Sequence, residues 1–597
     1  MEYYLPIVAM DFVPIYFLML LCLNNFTQSF CNRIHKFTCI ESERQALLKF
    51  KHDLKDSSNM LAVWTSKGDC CHWVGVVCDN VTGHVTELHL GSSQDVFASK
   101  AKTEAQVRSK LGGKMNPSLL DLKYLSYLDL SGNNFEQIPI PAWFWNLTSH
   151  LQYLNISGNQ FQGNIPDLLT TSHASVVLDF SSNNFTGPLP RISFNVTALD
   201  LSNNAMSGSL FHFLCYSMYQ LMKLEVLNLI NNLFSGEIPD CWEKWPSLVA
   251  IKFCNNNFGG KIPSSMGTLT SLQSLHLRNN NLVGEVPSSL RNCTELLTVD
   301  FGANQLSGVI PPWMGERLSK LIIISLQTNR FHGPIPEEFC VLSSLQILDL
   351  SHNNLSGNIP SCISNLSAMA SRNESNGKIS YKTSRACFFE SITLVIKGMV
   401  VDYSSSLKLF KLVDLSDNNL SGEIPEEVTS LIALLSLNLS NNLLVGKIPD
   451  RIGAMRELES VDLSANNLSG EIPNSMTDLF SLSYLNLSNN RLIGKIPLRA
   501  QFATFTNDGF LGNKLYGPPL TEYRTSKSVP PTASNSAGEN VDNGPKVDWF
   551  YLCVEFGFLF GFLGVAGPIV FSESLDFYIF NFWETLLMNF AASLTKM

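Results

Sequence analysis

Apolar residues recur along this chain in a frame that repeats every 24 or 25 residues. The frame is clearest between Leu345 and Pro360, where the sequence reads LQILDLSHNNLSGNIP. Its asparagine marks the period, with earlier and less regular turns at Asn133, Asn159, Asn183 and Asn204, then regular ones at Asn232, Asn256, Asn280, Asn304, Asn329, Asn353, Asn418, Asn442, Asn466 and Asn490. A fixed period of this length predicts a solenoid of stacked coils, because one coil cannot bury both of its flanks.

Each position of the frame has a physical role. Leu348 and Leu350 are two residues apart, so both point into the core from one short strand. The side chains between and beside them, such as those of Ile347 and Asp349, are predicted to face solvent. Asn353 turns the chain inward, where its amide can bond main-chain groups that would otherwise be buried unpaired. The glycine and proline that end the frame allow a tight turn and fix φ.

Composition and charge narrow the class of protein. The chain has 597 residues and a formal net charge of −10, with no basic stripe, which argues against a nucleic-acid binder. Paired cysteines and N-x-S/T sequons favour a secreted, oxidising setting. The predicted glycosylation sites are Asn80, Asn146, Asn155, Asn184, Asn195, Asn292, Asn354, Asn365, Asn373, Asn419, Asn438, Asn467 and Asn486.

The amino-terminal end predicts a signal peptide over residues 1–29. An apolar run from Val13 to Leu23 precedes the small residues Thr27-Gln28-Ser29, a pattern typical of a cleaved signal. The segment before this run has no basic residue, so an uncleaved anchor is the alternative.

Residues 39–80 form a different module, which we interpret as a cap on the exposed core of the first coil. ESERQALLKFK, from Glu41 to Lys51, has acidic residues at its start and one apolar face, so it predicts a helix. Of the three ways to pair the four cysteines of this module we favour Cys39–Cys70 with Cys71–Cys78. A zinc site that includes His72 is the alternative.

The cap sequence ESERQALLKFKHDL…W…DCCHWVGVVCD resembles the amino-terminal cap of plant leucine-rich-repeat proteins. The glycine–isoleucine–proline element is similar to that of the plant-specific subclass. Cap and repeats together cover roughly residues 39–514. The resemblance implies an α/β solenoid: a plant-type leucine-rich-repeat superhelix with parallel strands on the concave face, an extra outer strand and a disulfide-stapled cap.

The repeats form two blocks, residues 85–366 and the four coils of 407–500. Cys215 and Cys241 are 26 residues apart and Cys340 and Cys362 are 22 apart, so each pair can staple adjacent coils. The remaining repeat cysteines, Cys254 and Cys293, and Cys387 between the blocks have no evident partner, and we interpret them as buried or half-buried thiols.

Residues 367–406, here called the island, interrupt the period. They are predicted to form a polar loop followed by a strand over Ile392 to Ile396. A long insertion inside a repeat array is usually functional, although a tolerated insertion without a role is the alternative. Plant receptor-like proteins carry such an island a few coils from their carboxyl-terminal end, and the candidate island residues are Tyr381, Lys397, Gly398 and Tyr403.

Beyond the repeats we predict a cap remnant over 501–520, a stalk over 521–548, a transmembrane helix over 549–571 and a short cytoplasmic tail over 572–597. Tyr516 and Arg524 stand where relatives carry cap cysteines, so the carboxyl-terminal cap is expected to be weaker. The tail lacks the basic residues that usually follow a single span. Glycines suited to close helix packing within the span are Gly557, Gly561, Gly564 and Gly567.

No catalytic constellation is evident in the sequence. P-loop, HExxH and kinase signatures are absent, so no enzyme, cofactor or metal is predicted. Recognition is expected on the solvent side of the strands, where unusual residues depart from the bland serine, aspartate and asparagine pattern. The candidate ligand-binding residues are Lys252, His276, Arg278, Asp300, Ile323, Gln327 and His352.

The whole pattern resembles plant receptor-like proteins, close to the group that includes receptors for fungal xylanase elicitors. The resemblance implies a single-pass type I plasma-membrane receptor with an extracellular amino-terminal ectodomain. Its ligand would be an extracellular protein, peptide or glycan, its partners co-receptor and adaptor transmembrane leucine-rich-repeat kinases, and its setting plant defence. The alternative is a non-signalling decoy or inhibitor-like binding protein, which the altered tail and missing cap cysteines favour.

Overall fold

The structure, a computed structural model, describes most of the cap, the repeats and parts of the island. The described ranges are 38–92, 110–135, 139–168, 174–215, 221–371, 379–383, 387–396, 399–403, 410–497 and 502–520. All of them belong to one compact unit, Met1–Tyr523. The predicted signal peptide, stalk, transmembrane segment and tail lie outside the described residues.

The repeats build one sheet of sixteen strands, each coil adding one strand beside the previous one. The first two strands pair antiparallel and the others pair parallel in register, so that Lys252 lies beside His276 and His276 beside Asp300. The strands are Val76–Cys78, Val85–His89, Tyr127–Asp129, Tyr153–Asn155, Val176–Asp179, Val196–Asp200, Val226–Asn228, Ala250–Lys252, Ser274–His276, Thr298–Asp300, Ile323–Ser325, Ile347–Asp349, Leu412–Asp414, Ser436–Asn438, Ser460–Asp462 and Tyr484–Asn486. The predicted parallel sheet is confirmed, and the side opposite the leucine core is here called the strand face.

The strand that comes after the turn of most coils belongs to a second parallel sheet. Its ten strands are Gln162–Asn164, Asn184–Gly187, Ala205–Gly208, Leu233–Glu237, Asn257–Gly260, Asn281–Gly284, Gln305–Val309, Arg330–Gly333, Asn354–Gly357 and Asn419–Leu420. Two smaller sheets flank it, made of Leu54–Asp56, Leu111–Gly113 and Asn134–Phe135 at one end and of Ser469–Gly470, Arg491–Lys495 and Lys514–Tyr516 at the other. This is the extra outer strand that the resemblance implied.

Short helices close the outer side of most coils. The α-helices after the cap are Phe211–Leu214, Trp313–Arg317 and Ser367–Ala370. The 3₁₀ helices are Cys70–His72, Pro117–Asp121, Ala142–Ser149, Trp242–Lys244, Ser264–Thr268, Ser288–Asn292, Glu337–Val341, Ser361–Asn365, Glu426–Ser430, Ile452–Ala454, Asn474–Asp478, Phe502–Thr504 and Asn507–Phe510. Several of these helices follow directly on the proline of the frame, which is their N-cap residue and has an extended backbone conformation.

The recurring asparagine bonds the main chain as predicted. In one coil the Asn304 amide donates to the carbonyl oxygens of Leu277, Phe301 and Gly302 at 3.0–3.1 Å. Its Oδ1 accepts from the Leu282 amide at 3.1 Å. One side chain therefore satisfies four buried main-chain groups and ties each coil to the one before it.

The cap has the predicted helix, Glu41–His52, and stacked Trp64 and Trp73 rings at 5.3 Å. Among the described residues there are four disulfides, and they are the predicted pairs Cys39–Cys70, Cys71–Cys78, Cys215–Cys241 and Cys340–Cys362. The four cap cysteines are therefore engaged with each other, and the zinc alternative for this module is wrong. At the other end, strand Lys514–Tyr516 and the buried ring of Phe510 extend the solenoid without a cap disulfide among the described residues.

The described residues of the island form two antiparallel strand pairs, here called its hairpins. Strand Ser380–Lys382 pairs with Cys387–Phe389, and Ile392–Ile396 pairs with Met399–Tyr403. The predicted strand at Ile392 to Ile396 is confirmed. The prediction that the first half is a polar loop is wrong for 380–382 and 387–389, which are paired strands. Serine and lysine residues in and around these strands gave the segment the composition of a loop.

Candidate functional site: the covered strand face

The island lies on the strand face. Ile379, Ile392 and Leu394 of the island form one apolar cluster with three strand residues that have no place in the leucine core, namely Ile323, Ile347 and Leu412. All six are at most 3% exposed. The expectation that Ile347 faces solvent is therefore wrong, because the island removes it from water.

Tyr381, in the first strand of the island, makes a second apolar contact with the strand face. The Tyr381 ring is 2% exposed and packs in a cluster with Ala198, Val226 and Ala250. Its centroid lies 5.6 Å from the Lys252 Nζ atom, within the range of a cation–π contact. Small residues at successive strand positions leave the space that this ring fills.

Between the two apolar contacts, Glu390 of the island reaches a buried polar cluster. Its carboxylate accepts hydrogen bonds from the Ser274 hydroxyl at 2.7 Å and from the His276 Nε2 atom at 2.9 Å. The Lys252 Nζ atom lies 3.3 Å from Glu390 Oε1. With Glu390 1% exposed, these bonds are shielded from solvent and fix the register of the island on the sheet.

The pKa directions show a network of opposite charges. Burial alone would raise the pKa of Glu390, but His276 and Lys252 hold it well below its usual range. Burial alone would lower the pKa of His276, but Glu390 and a hydrogen bond with Asp300 raise it well above its usual value. The pKa of Lys252 is likewise raised, against the effect of burial, by Glu390. The described structure therefore holds an ionised carboxylate between two cations.

The structure brings most of the predicted ligand-binding residues together beneath the island. Five of them are buried, in contrast to the expectation of solvent-facing side chains: Lys252, His276, Asp300, Ile323 and Gln327 at 0–6% exposure. Arg278 is half-buried, and His352 is exposed with its Nδ1 atom 2.7 Å from Asp417. Contact of the buried five with a ligand would require movement of the island or entry through the cavity described next; their role in binding stays a prediction.

A cavity of about 280 Å³ lies where island residues 391–393 cross the strand face. Its floor includes Cys254, His276, Arg278 and Asp300, and its wall includes Thr393. The Arg278 Nη1 atom is buried without a hydrogen-bond partner among the described residues. Burial raises the pKa of the Asp349 carboxylate, and the positive charge of Arg278 lies close enough to act on it in the opposite direction. The Arg278 Nη1 atom is left with donor capacity toward the cavity.

Glu390 was missed by the sequence reasoning, although it makes the central contact. The available signal was a single acid between Phe389 and the strand at Ile392. A lone acid in a loop is usually solvated, and only the register of the hairpin on the sheet identifies its partners.

A pair of buried carboxylates lies farther along the strand face. Asp349 and Asp414 are side by side in the parallel register and are 2% and 6% exposed. Burial and the neighbouring Asp414 raise the pKa of Asp349 to about 7, and burial raises that of Asp414. The expectation that Asp349 faces solvent is wrong, because its side chain is buried beside Asp414 and accepts hydrogen bonds from Ser351.

Other predicted sites have different positions. The backbone of Tyr403 ends the second island hairpin, whereas Lys397, Gly398, Asn373 and the glycines of the predicted span lie outside the described residues. No helix in the described ranges is long and apolar enough to cross a membrane. Asn195 is 1% exposed and its amide donates to the Ala174 carbonyl, so the predicted glycan there is wrong. The predicted glycosylation sites with an exposed side chain are Asn80, Asn146, Asn184, Asn292, Asn354, Asn365 and Asn419.

Comparison with known proteins agrees with this architecture. The Leucine rich repeat N-terminal domain matches residues 40–79. The Leucine Rich Repeat matches residues 124–147, 150–171, 223–245, 271–293, 344–366, 410–431, 433–455, 457–479 and 481–500. Receptor-like protein EIX1 from Solanum lycopersicum is 37% identical over 240 residues. The chain therefore carries a leucine-rich-repeat amino-terminal domain followed by leucine-rich repeats, and it is similar to plant receptor-like proteins.

The similarity covers only part of each protein. The match to Receptor-like protein EIX1 spans 35% of this chain and 23% of that relative's length. The ectodomain of the Arabidopsis thaliana membrane receptor kinase GASSHO1/SCHENGEN3, solved with CASPARIAN STRIP INTEGRITY FACTOR 2, is 30% identical with a TM-score of 0.53, over 69% of this chain and 47% of that one. The plant peptide hormone receptor RGFR1, solved with RGF2, is 25% identical with a TM-score of 0.50, over 74% and 72%.

Proposed function

We propose that this protein is a cell-surface receptor-like protein of plant defence that binds an extracellular protein, peptide or glycan and signals through partner membrane kinases. The observation that carries the proposal is the island cavity, which joins the strand face to an insertion and is lined by Arg278, whose Nη1 atom has no hydrogen-bond partner among the described residues. The similarity to receptor-like proteins and to ectodomains solved with their ligands supports the same reading. The chain contributes recognition, and a partner kinase contributes the catalytic step.

The cavity also indicates the chemistry of one ligand group. Arg278 presents a planar fork of donors, which suits a carboxylate or sulfate better than a neutral group. A space of about 280 Å³ admits one side chain or one sugar ring, not a folded domain. The ligand would therefore insert an anionic group here and rest the remainder of its surface on the exposed neighbours of the cavity, such as Asn231 and Asn255.

Capture from plant membranes tests the signalling half of the proposal. The full tagged chain is compared with a Gly557→Leu, Gly561→Leu double variant, whose bulk would block close packing of the predicted span. Leu559→Phe, on the opposite side of that helix, is the matched control. We expect a transmembrane kinase to be captured with the wild type and the control and to be lost with the double variant.

A second arm tests ligand recognition, with a secreted fungal xylanase and a fungal culture filtrate as probes. Arg278→Ala should abolish the oxidative burst of leaf cells that express the chain, whereas Arg491→Ala, at an exposed position of another sheet, should leave it intact. Kinase capture without any Arg278-dependent response would refute the cavity as the ligand site. A glycosylated surface protein that binds a probe but captures no kinase would replace the receptor with the decoy alternative.

A further inference from the structure

We propose that Cys254, His276 and Asp300 form a zinc site at the floor of the island cavity. The Cys254 thiol, an imidazole nitrogen of His276 and a carboxylate oxygen of Asp300 lie within 4.8 Å of one another, and all three residues are buried. They come from three successive coils, so the parallel register of the sheet brings them together. This inference concerns the chain's own residues and does not depend on the proposed function.

The ligand types and their spacing suit zinc. Thiolate, imidazole and carboxylate bind Zn²⁺ at about 2.3, 2.0–2.1 and 2.0–2.2 Å, which places the ligand atoms of a tetrahedral site roughly 3.5 Å apart. The His276 Nδ1 atom is already 3.5 Å from Asp300 Oδ2. The Cys254 sulfur lies within 4.8 Å of both other ligand atoms, so closing the site requires it to move by at most about 1.3 Å.

The second nitrogen of His276 is held as a metal-binding imidazole requires. Its Nε2 atom lies 2.9 Å from Glu390 Oε1, so Nδ1 is the nitrogen that faces Cys254 and Asp300. A carboxylate that accepts the other ring N–H is the usual outer partner of a zinc-bound histidine, and it fixes the ring orientation. Glu390 belongs to the island, and metal binding would therefore be coupled to the seating of the island on the strands.

The charges around the site also permit a divalent cation. Lys252 and Arg278 oppose it, while Glu390, Asp300 and a Cys254 thiolate favour it. Zn²⁺ binds the thiolate of a cysteine and the neutral ring of a histidine, so binding at this site would release protons. The cavity that these three ligands line provides the fourth position, where a water molecule or a donor atom of a bound molecule can complete the tetrahedron.

The other cysteine cluster of the described structure does not compete. Cys39, Cys70 and Cys71 lie close together, but each is already in a disulfide. Cys293 is a buried free thiol that shares no cluster with a histidine or a carboxylate among the described residues. It therefore serves as the matched control for Cys254.

The test is metal binding by the full chain, purified with a histidine-free tag and stripped with a chelator. Zinc is titrated, and the moles of zinc bound per mole of protein are measured after desalting by inductively coupled plasma mass spectrometry. Co²⁺ is used as a spectroscopic probe of thiolate ligation. We expect one equivalent of zinc and a thiolate-to-cobalt charge-transfer band for the wild type and for Cys293→Ser. In Cys254→Ser the band should vanish and zinc affinity should fall more than tenfold; Glu390→Gln should keep the band with affinity reduced about 10- to 100-fold.

Circular dichroism and intact disulfides verify that each variant is folded, and Asp300→Asn replaces Cys254→Ser if the latter is not secreted. A wild-type protein that retains no zinc above the chelator-treated blank would overturn the proposal. So would equal zinc binding by the wild type and Cys254→Ser, since that result would assign the metal to surface histidines.

Discussion

The contact that holds the island on the strands is open to a direct test through Glu390. The substitution Glu390→Gln keeps the shape of the side chain and removes its charge. Lys252 and His276 would then remain buried without the carboxylate that lies 3.3 Å and 2.9 Å from them. We expect the island to detach while the coils beneath it stay folded.

The magnitude follows from burial. Removing one partner of a buried ion pair costs about 3–5 kcal/mol, since the remaining charge loses both its partner and its water. No allowance for solvent screening is needed, because Glu390 and Lys252 are 1% and 6% exposed. At about 1.4 kcal/mol per factor of ten, the population with an open island should rise at least 100-fold.

The two buried free thiols provide the assay. Cys254 borders the island cavity, whereas Cys293 lies in the leucine core, and both are at most 7% exposed. Alkylation of each thiol is followed over time by mass spectrometry of peptides, with a chelator present. In Glu390→Gln we expect Cys254 to react at least 100 times faster and Cys293 to keep its wild-type rate.

Glu295→Gln is the matched control, because its ion pair with Lys320 is 2.6 Å long but 43–51% exposed. Exposed pairs contribute little, so both thiols should keep their rates. An unchanged Cys254 rate in Glu390→Gln would show that the apolar contacts alone hold the island. A parallel rise at Cys293 would show that Glu390 stabilises the solenoid as a whole.

Three further predictions concern the solenoid. The pKa of Asp349 is raised to about 7, so the stability that its protonated form contributes to the folded state is fully present below about pH 4 and is lost as the pH rises through 7. Asp349→Asn keeps the oxygen that accepts from Ser351 and removes the charge, so it should raise the melting temperature at pH 8 and not at pH 4. Asn466→Ala leaves the buried Leu444 amide unpaired and removes one of two donors from three carbonyl oxygens, so it should cost about 1–3 kcal/mol in denaturant unfolding. A loss under about 0.5 kcal/mol would contradict a stabilising role for the recurring asparagine. The Cβ atom of Gly453→Ala would lie 2.0 Å from the Ser475 carbonyl oxygen, so this substitution should lower the melting temperature by several degrees. Gly259→Ala is the control, because its Cβ would lie 3.8 Å from the Asn281 carbonyl oxygen, and its effect should be smaller; equal shifts would refute the steric argument.

The sequence determined the repeating part of this protein. The alternating apolar strand positions, the asparagine of the turn and the proline before several outer helices act within one coil or between adjacent coils. The sheet, the asparagine bonds and the disulfides Cys215–Cys241 and Cys340–Cys362 could therefore be predicted from spacing, whereas the four cap cysteines allow three pairings. Asn304 and Cys340 have partners about one coil length away, and that length is written in the period.

The tertiary structure decided which residues of the strand face are covered and what they contact. Glu390 meets Ser274 across 116 residues, a separation that no repeat encodes. Whether Lys252, Asp300 or Ile347 faces water depends on where the island hairpins lie, and the sequence pattern treats them all as exposed strand positions. Polar and apolar partners of a long insertion are selected by shape and charge in three dimensions, so the covered face, its cavity and the cysteine–histidine–aspartate cluster emerge only once the chain is folded.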